Sequence, residues 1–126
     1  MTFSITGQIP SGKNQVKTVL IKGKVLHIPD KRFKKWREAV LPQLKIQRGQ
    51  CAWFPLQTPI TLECEYTPGD RRTRDVSGML DALFHLIVKA GLLTDDGLVW
   101  AVTWRRNEMD RQRPGLRFTM TKQEAL

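Results

Sequence analysis

Residues 69–96 read GDRRTRDVSGMLDALFHLIVKAGLLTDD, and this stretch decides the fold. Apolar side chains cover most of the circumference of the segment that follows Asp75, which predicts a buried helix. Asp75 is a suitable N-cap for that helix, and Gly91 is a suitable residue just past its end. The polar stripe of the helix has members four residues apart, namely Ser77, Asp81, His85 and Lys89. His85 is either a general base beside Asp81 or a helix-surface residue.

Aspartates are concentrated in the same stretch. Five of the seven aspartates lie between residues 70 and 96, although the chain of 126 residues has a net charge of +9. Carboxylates gathered in a positive protein suggest compensation by a divalent cation, and oxygen ligands suit Mg²⁺ or Mn²⁺. The remaining positive surface suits a polyanion such as nucleic acid. Together these features favour a metal-dependent nuclease. The five residues are Asp70, Asp75, Asp81, Asp95 and Asp96.

A shared metal site requires aspartates at distant positions along the helix to converge. A helix of about 15 residues spans ~22 Å, so the Asp95–Asp96 pair starts far from Asp75. Convergence requires the residues just before the predicted strand 98–106 to lie beside the end of strand 60–66. In the alternative interpretation, Asp75 only caps the helix and residues 95–97 only form a turn. The spacing leaves both interpretations open.

The rest of the sequence predicts a second helix and several strands. Apolar residues recur at helical spacing after Asp30, a suitable N-cap, and Pro42 is expected to kink or end this helix. Those apolar residues are Phe33, Trp36, Val40 and Leu44. Alternating and β-branched runs predict the strands Thr2–Thr6, Ile60–Tyr66, Leu98–Arg106 and Gly115–Thr121 and a hairpin over Val16–His27. The predicted fold class is therefore α/β (α+β), with a small mixed β-sheet and two main helices in a single domain over residues 1–126.

Other patterns argue against several protein classes. No apolar run approaches the ~20 residues of a membrane-spanning helix, so no membrane partner is expected. The first residues, MTFSITGQIPSGK, do not resemble a signal peptide, which favours a cytoplasmic protein with Cys51 and Cys64 as free thiols. Residues 7–14 (GQIPSGKN) fit the pattern G-x-x-x-x-G-K. A strand-like segment follows, however, where a phosphate-binding loop needs a helix, so no nucleotide cofactor is expected.

Basic residues near this loop and near Asp75 have more than one interpretation. Arg71, Arg72 and Arg74 either neutralise neighbouring carboxylates or hold the phosphates that flank a scissile bond. These roles are compatible, because the same arginines can hold an empty site together and then bind substrate. Lys13 and Asn14 are expected to reach toward a DNA backbone. A second basic run, residues 31–37, is either a solvated helix face or a phosphate contact.

The order of these motifs resembles the RusA family of Holliday junction resolvases over most of the chain. The matching parts are the opening strand with its G-x-I-P-S-x-K-N loop, the helix KRFKKWREAV, and the block RxRD–helix–KAG–L-x-DD. The resemblance implies a small homodimer of mixed α/β structure that binds branched DNA and nicks four-way junctions symmetrically. It also implies catalysis by aspartates with Mg²⁺ or Mn²⁺. Asp75 and Asp96 would be metal ligands, with Asp95 beside them.

The sequence departs from the family pattern near Asp75. The family usually has D-x-D-N where this chain has Asp75-Val76-Ser77-Gly78, and Asp81 stands where the family usually has a lysine important to cutting. We hypothesise that the carboxylate has moved one turn along the helix, which makes Asp81 a metal ligand. The expected catalytic residues are thus Asp75, Asp81, Asp95 and Asp96, and the expected metal ligands among them are Asp75, Asp81 and Asp96. The alternative functions are a non-catalytic branched-DNA-binding protein with a degenerate site and, less favoured, a nuclease acting on flaps or single strands.

Overall fold

A mixed four-stranded sheet and two long helices form the body of the protein in a computed structural model, which describes residues 1–11, 16–29 and 31–123. The side chains of residues 16–19 and 26–29 lie outside that description. The elements are β1 (Thr2–Thr6), β2 (Val16–Ile21), β3 (Lys24–Pro29), α1 (Lys31–Arg48), β4 (Ile60–Thr67), α2 (Val76–Lys89), a 3₁₀ turn (Asp96–Leu98), β5 (Val99–Arg106) and β6 (Gly115–Lys122). The mixed sheet and the two helices confirm the coarse fold prediction. Asp30, the expected N-cap of α1, lies outside the described residues.

The sheet has the strand order β1-β6-β4-β5, and β2 and β3 pair separately as a hairpin. β4 is antiparallel to β6 and parallel to β5, with Ile60 opposite Val99. Because β4 and β5 run in the same direction, α2 must return the chain from the end of β4 to the start of β5. A bridge between Leu56 and Leu93 places the exit of α2 beside the entry to β4. This β-α-β unit fixes where the two ends of α2 lie.

The core lies between one face of the sheet and the two helices. Alternate residues of β4 point into it, and the predicted stripe of α1 packs against it. These side chains are Ile60, Leu62, Cys64 and Tyr66 from β4, and Phe33, Trp36, Val40 and Leu44 from α1. From α2 the buried residues are Met79, Ala82, Leu83, Leu86 and Ile87. Both helical periodicities read from the sequence are therefore confirmed.

The first helix was expected to kink or to end at Pro42. It does not end there, because α1 continues to Arg48. Proline removes one backbone donor and so leaves the carbonyl of Glu38 without its helical partner. Pro42 is exposed, which puts that interruption on the solvent side of the helix. Val40 and Leu44, on either side of it, are almost completely buried and hold both halves of the helix on the core.

Side chains of α1 cover the outer edge of β1. The backbone N of Ser4 donates to Oε1 of Gln47 over 2.8 Å, and Nε2 of Gln47 donates to the carbonyl of Ser4 over 2.7 Å. The backbone N of Thr6 donates to Oε1 of Gln43 over 3.0 Å. The two amides thus act as a substitute strand, which satisfies donors and acceptors that an edge strand normally leaves exposed.

The opposite edge of the sheet, on β5, is open. In the described part of the chain, β5 pairs only with β4. Val102 and Trp104 lie opposite Leu62 and Cys64, so these two residues share the face of the sheet that carries the core. Trp100, at the bulge in the β4–β5 register beside Ile60 and Thr61, is 67% exposed, and Val102 is 38% exposed. Across residues 1–11, 16–29 and 31–123, no helix is long and apolar enough to cross a membrane.

Candidate metal centre and nucleic-acid interface

Asp75 caps α2, as its position in the sequence predicts. Its backbone is extended, its Oδ1 accepts from the backbone N of Ser77 over 3.2 Å, and its Oδ2 accepts from Oγ of Ser77 over 2.9 Å. Asp75 is exposed. A carboxylate has about four lone-pair sites, so these two bonds leave capacity for a metal ion. Capping and metal binding are therefore compatible roles for this residue.

Gly78 allows the loop before residue 12 to lie directly against the first turn of α2. A Cβ at position 78 would overlap the carbonyl oxygen of Ser11. The same loop is tied to the end of β4 by Gln8, whose Nε2 donates to the hydroxyl of Tyr66 over 2.7 Å and whose Oε1 accepts from the backbone N of Gly69 over 2.8 Å. The glycine at position 78 thus has a steric role in the fold.

The basic loop before α2 is held by an internal ion pair. The two terminal nitrogens of Arg74 donate to the two oxygens of Asp70 over 2.7 and 2.9 Å, and the backbone N of Arg72 donates to Asp70 over 3.0 Å. The hydrogen bond from Arg74 is the main cause that lowers the pKa of Asp70 to about 2. The same bond raises the pKa of Arg74. Neutralisation of a carboxylate, one of the two interpretations of these arginines, therefore applies to Arg74 and Asp70.

Arg71 and Arg72 keep exposed side chains on this loop. Arg72 lines a cleft of about 420 Å³ together with Asp75, Trp36 and Arg32. The cleft lies between the loop at residues 8–11, the start of α1 and the basic loop. Arg32 was grouped in the sequence only with a general basic run. The sequence spacing does not predict that Arg32 and Asp75 line the same cleft, because more than forty residues separate the two.

Asp81 lies half-buried on α2, one turn beyond Ser77. It follows Asp75 by six residues, which corresponds to ~9 Å along the helix axis. One turn further along, Nε2 of His85 lies 3.4 Å from Nη1 of Arg37, and the Phe33 ring meets the imidazole edge-on with centroids 5.2 Å apart. These contacts favour the interpretation of His85 as a residue of the interface between α1 and α2.

Asp95 and Asp96 lie at the other end of α2. Asp95 caps the 3₁₀ turn, and its Oδ1 accepts from the backbone N of Gly97 over 3.0 Å. Asp96 is exposed, and its carboxylate has no hydrogen bond or ion pair with the described residues. Both aspartates line a pocket of about 340 Å³, whose other residues are Phe84, His85, Val88 and Lys89. The turn expected at residues 95–97 is thus present, and Asp96 remains available.

Within one chain, the structure does not bring Asp75 beside Asp95 and Asp96. Convergence of these aspartates would require the residues before β5 to lie beside the end of β4. The parallel register instead places Val99 opposite Ile60, at the beginning of β4. The 14 residues of α2 separate the two acidic ends by ~21 Å. No group of three or more Asp, Glu, His or Cys side chains close enough to hold a metal ion occurs among the described residues.

Two of the expected DNA contacts, Lys13 and Asn14, lie outside the described residues. The segment that follows them is strand β2, as predicted. Cys51 and Cys64 are free thiols, which confirms that prediction.

No model of a known protein family matches the sequence, and no curated protein is significantly similar to it. The function is therefore inferred from the residues and their geometry.

Proposed function

We propose that this protein is a RusA-like, metal-dependent endonuclease that cuts four-way DNA junctions as a homodimer in the cytoplasm. The observation that carries the proposal is the placement of carboxylates at both ends of one helix, with a partly exposed apolar surface between them. Asp75 and Asp81 belong to the N-terminal half of α2, and Asp95 and Asp96 follow its C-terminal end. A single chain supplies each half of a metal site but does not join the halves.

An apolar stripe connects the two acidic ends along the outside of α2. Its members follow one another at intervals of four residues and are half-buried or exposed, and three apolar residues of β5, beginning with Trp104 next to Val76, extend it. The stripe consists of Val76, Leu80, Phe84 and Val88, and the extension consists of Trp100, Val102 and Trp104. Val76 and Trp104 border Arg71 and Arg72 in one pocket, and Phe84 and Val88 border the Asp95–Asp96 pair in another. The apolar surface, defined by these seven residues, therefore reaches both ends.

A second copy of the chain is the partner that fits this surface. In a two-fold interface the same patch meets itself, so the two α2 helices lie antiparallel. With the axis near Leu80 and Phe84, Asp75 of one subunit lies beside Asp96 of the partner subunit. The symmetry repeats this juxtaposition at the other end. The dimer then has two complete carboxylate groups, one for each strand nicked at a symmetric junction.

The carboxylates of such a composite site fit Mg²⁺ or Mn²⁺, because they are oxygen donors and because Asp96 is available. Asp75 and Asp81 of one subunit, with Asp96 of the partner subunit, would hold the metal, and Asp95 would support Asp96. A metal held there supplies an activated water and stabilises the leaving oxygen. Arg71 and Arg72, which are exposed, would bind the phosphates beside the scissile one. Lys13 and Asn14 would extend this contact along the backbone.

One observation favours the second candidate, a branched-DNA-binding protein without nuclease activity. Ser77 stands where the family usually has a carboxylate, and its hydroxyl donates to Oδ2 of Asp75 over 2.9 Å. This bond uses part of the ligand capacity of Asp75. The two candidates are distinguished by one result, because only the nuclease cuts the DNA junction.

Mixing two inactive variants tests the proposal. We expect Asp75→Asn and Asp96→Asn each to abolish nicking of a synthetic four-way junction with Mg²⁺ or Mn²⁺. In a mixed dimer, one composite site carries both substitutions and the other carries neither. Random mixing therefore restores about a quarter of the parental sites, whereas a site built within one chain would stay inactive. Glu108→Gln, at an exposed acid outside the site, is the control and should cut like the parent.

The dimer surface is tested separately with a matched pair of tryptophans. Trp100 belongs to the apolar surface and Trp53 is not among its seven residues, and the two are 67% and 71% exposed. We expect Trp100→Ser to shift the protein toward the monomer in sedimentation and to reduce nicking, while Trp53→Ser changes neither. Tight junction binding by the parent, without cutting in either metal, would support the second candidate. Failure to bind junctions would contradict both.

A further inference from the structure

The tip of the β2–β3 hairpin exposes three large aliphatic side chains. Leu20 is 71% exposed, Ile21 is 50% exposed and Val25 is 60% exposed. Leu20 lies directly opposite Val25 across the hairpin and Ile21 lies opposite Lys24, so the two aliphatic residues of the first pair share one face. Scattered exposed apolar residues are ordinary on protein surfaces, but here three of the six residues at one tip are apolar. These side chains are placed where a partner can reach them.

The turn at this tip carries a lysine in an unfavourable backbone conformation. Lys22 has φ 51° and Gly23 has φ 77°. Two positive φ values are typical of a type I′ turn, in which Asn-Gly is the favoured pair. A lysine at the first position gives up local stability relative to asparagine. It also places a cation at the outermost point of the hairpin, with Lys24 two residues away.

Positive charge is concentrated in the same part of the sequence. Residues 1–37 contain nine of the 21 basic residues but only one of the 12 acidic residues, and residues 1–29 contain no acid. α1 begins with Lys31 and Arg32 and has no acidic residue in its first turn. Cations are disfavoured at the positive end of a helix dipole, so this arrangement also suits an anionic partner.

We propose that the hairpin tip is a wedge that enters the base stack where the DNA strands branch. The inference rests on the proposed junction function and adds to it an element that distorts the DNA. Leu20, Ile21 and Val25 would contact unstacked bases, since apolar side chains inserted between base steps open the stack. Lys22 and Lys24 would contact the flanking phosphates. A bilayer fits less well, because even a single myristoyl chain, which is more apolar, binds membranes only marginally.

The test uses four-way junctions that carry 2-aminopurine at the branch point, with Ca²⁺ in place of Mg²⁺ so that binding is measured apart from cutting. We expect the parent to raise 2-aminopurine fluorescence as bases unstack. The double variant Leu20→Ser/Ile21→Ser should lose this rise in fluorescence. Its preference for junction over duplex should fall about tenfold, while its affinity for duplex changes less than about twofold. Ile46→Ser is the control, because Ile46 is 81% exposed on α1, away from the tip.

The lysines give an independent readout. Lys22→Asn/Lys24→Gln removes two charges and places a favoured Asn-Gly pair in the turn, so the hairpin should become no less stable. We expect weaker binding to junction and duplex alike. The slope of the logarithm of the binding constant against the logarithm of the salt concentration should become shallower by about 2. An unchanged slope would contradict the phosphate contacts.

Other outcomes separate the wedge from the nuclease. The wedge is overturned if the serine variant keeps the fluorescence rise and the junction preference, or if Ile46→Ser loses them equally. It is also overturned if the parent binds anionic phospholipid vesicles and the serine variant alone does not. A parent that binds and unstacks junctions but does not cut them would support the wedge and contradict the proposed catalysis. A parent that binds no DNA would overturn both.

Discussion

Gly78→Ala is expected to destabilise the protein, although the same change at an ordinary helical position stabilises it. In a helix interior, alanine is favoured over glycine by about 1 kcal/mol. At position 78 the added Cβ would overlap the carbonyl oxygen of Ser11. Nonbonded atoms rest about 3.5 Å apart, so the loop at residues 8–11 must move by roughly 2 Å.

The cost of this movement follows from what the loop buries. Ile9, two residues before Ser11, is 1% exposed. Fully burying an isoleucine side chain contributes about 1.5–3 kcal/mol, and displacing the loop loses most of this. Even after the gain in helix propensity, we expect a net loss of about 0.5–2 kcal/mol in the free energy of unfolding. The melting temperature should therefore fall by about 4–8 °C in a protein of this size.

The assay is thermal and urea unfolding of Gly78→Ala beside Gly97→Ala. Gly97 has a negative φ, and a Cβ there would meet Asp95 at an ordinary 3.6 Å, so this control should change the stability little. Junction binding should weaken in Gly78→Ala as well, because the displaced loop forms one wall of the cleft that contains Asp75. A Gly78→Ala protein with a melting temperature equal to or above that of the parent would refute this reasoning.

Three further outcomes are expected. The pKa of Asp70 is lowered to about 2 by Arg74, so this ion pair stabilises the fold above about pH 4 and the effect is lost as the pH falls toward 2. The difference in melting temperature between the parent and Asp70→Asn should accordingly shrink over that interval. Gln47→Ala removes two hydrogen bonds from the edge of β1 and should cost about 1 kcal/mol in urea unfolding, with increased light scattering. Burial raises the pKa of the Cys64 thiol to about 12, so a maleimide at pH 8 should label Cys51 in the native protein and both thiols in denaturant.

Local patterns in the sequence were sufficient to predict most of the secondary structure. The strand at Thr2–Thr6, the cap at Asp75 and the left-handed Gly91 with φ 75° all depend on neighbouring residues, and all three are confirmed. The end of α1 was predicted wrongly at Pro42. Proline breaks a helix through one lost hydrogen bond and a local clash, and burial of the flanking turns outweighs that cost here.

The arrangement of the candidate site was harder to predict, because it depends on strand direction. Whether Asp96 returns to Asp75 is decided by the parallel pairing of β4 with β5, and periodicity does not report the direction of a strand. The ion pair between Arg74 and Asp70 was also not foreseen, since three arginines lie equally close to several carboxylates in the sequence. The proximity of Arg32 to Asp75 depends on tertiary packing, which spacing does not encode.

The unequal edges of the sheet have a consequence for assembly. A sheet with two open edges can add copies at both sides and grow into a filament. Here the glutamines of α1 occupy one side, so among the described residues of the four-stranded sheet growth through main-chain pairing is open only at β5. Two copies that meet there use up the last free edge of each other. Edge-to-edge growth of this sheet would therefore stop at a pair, because the glutamines that stabilise β1 close the other edge.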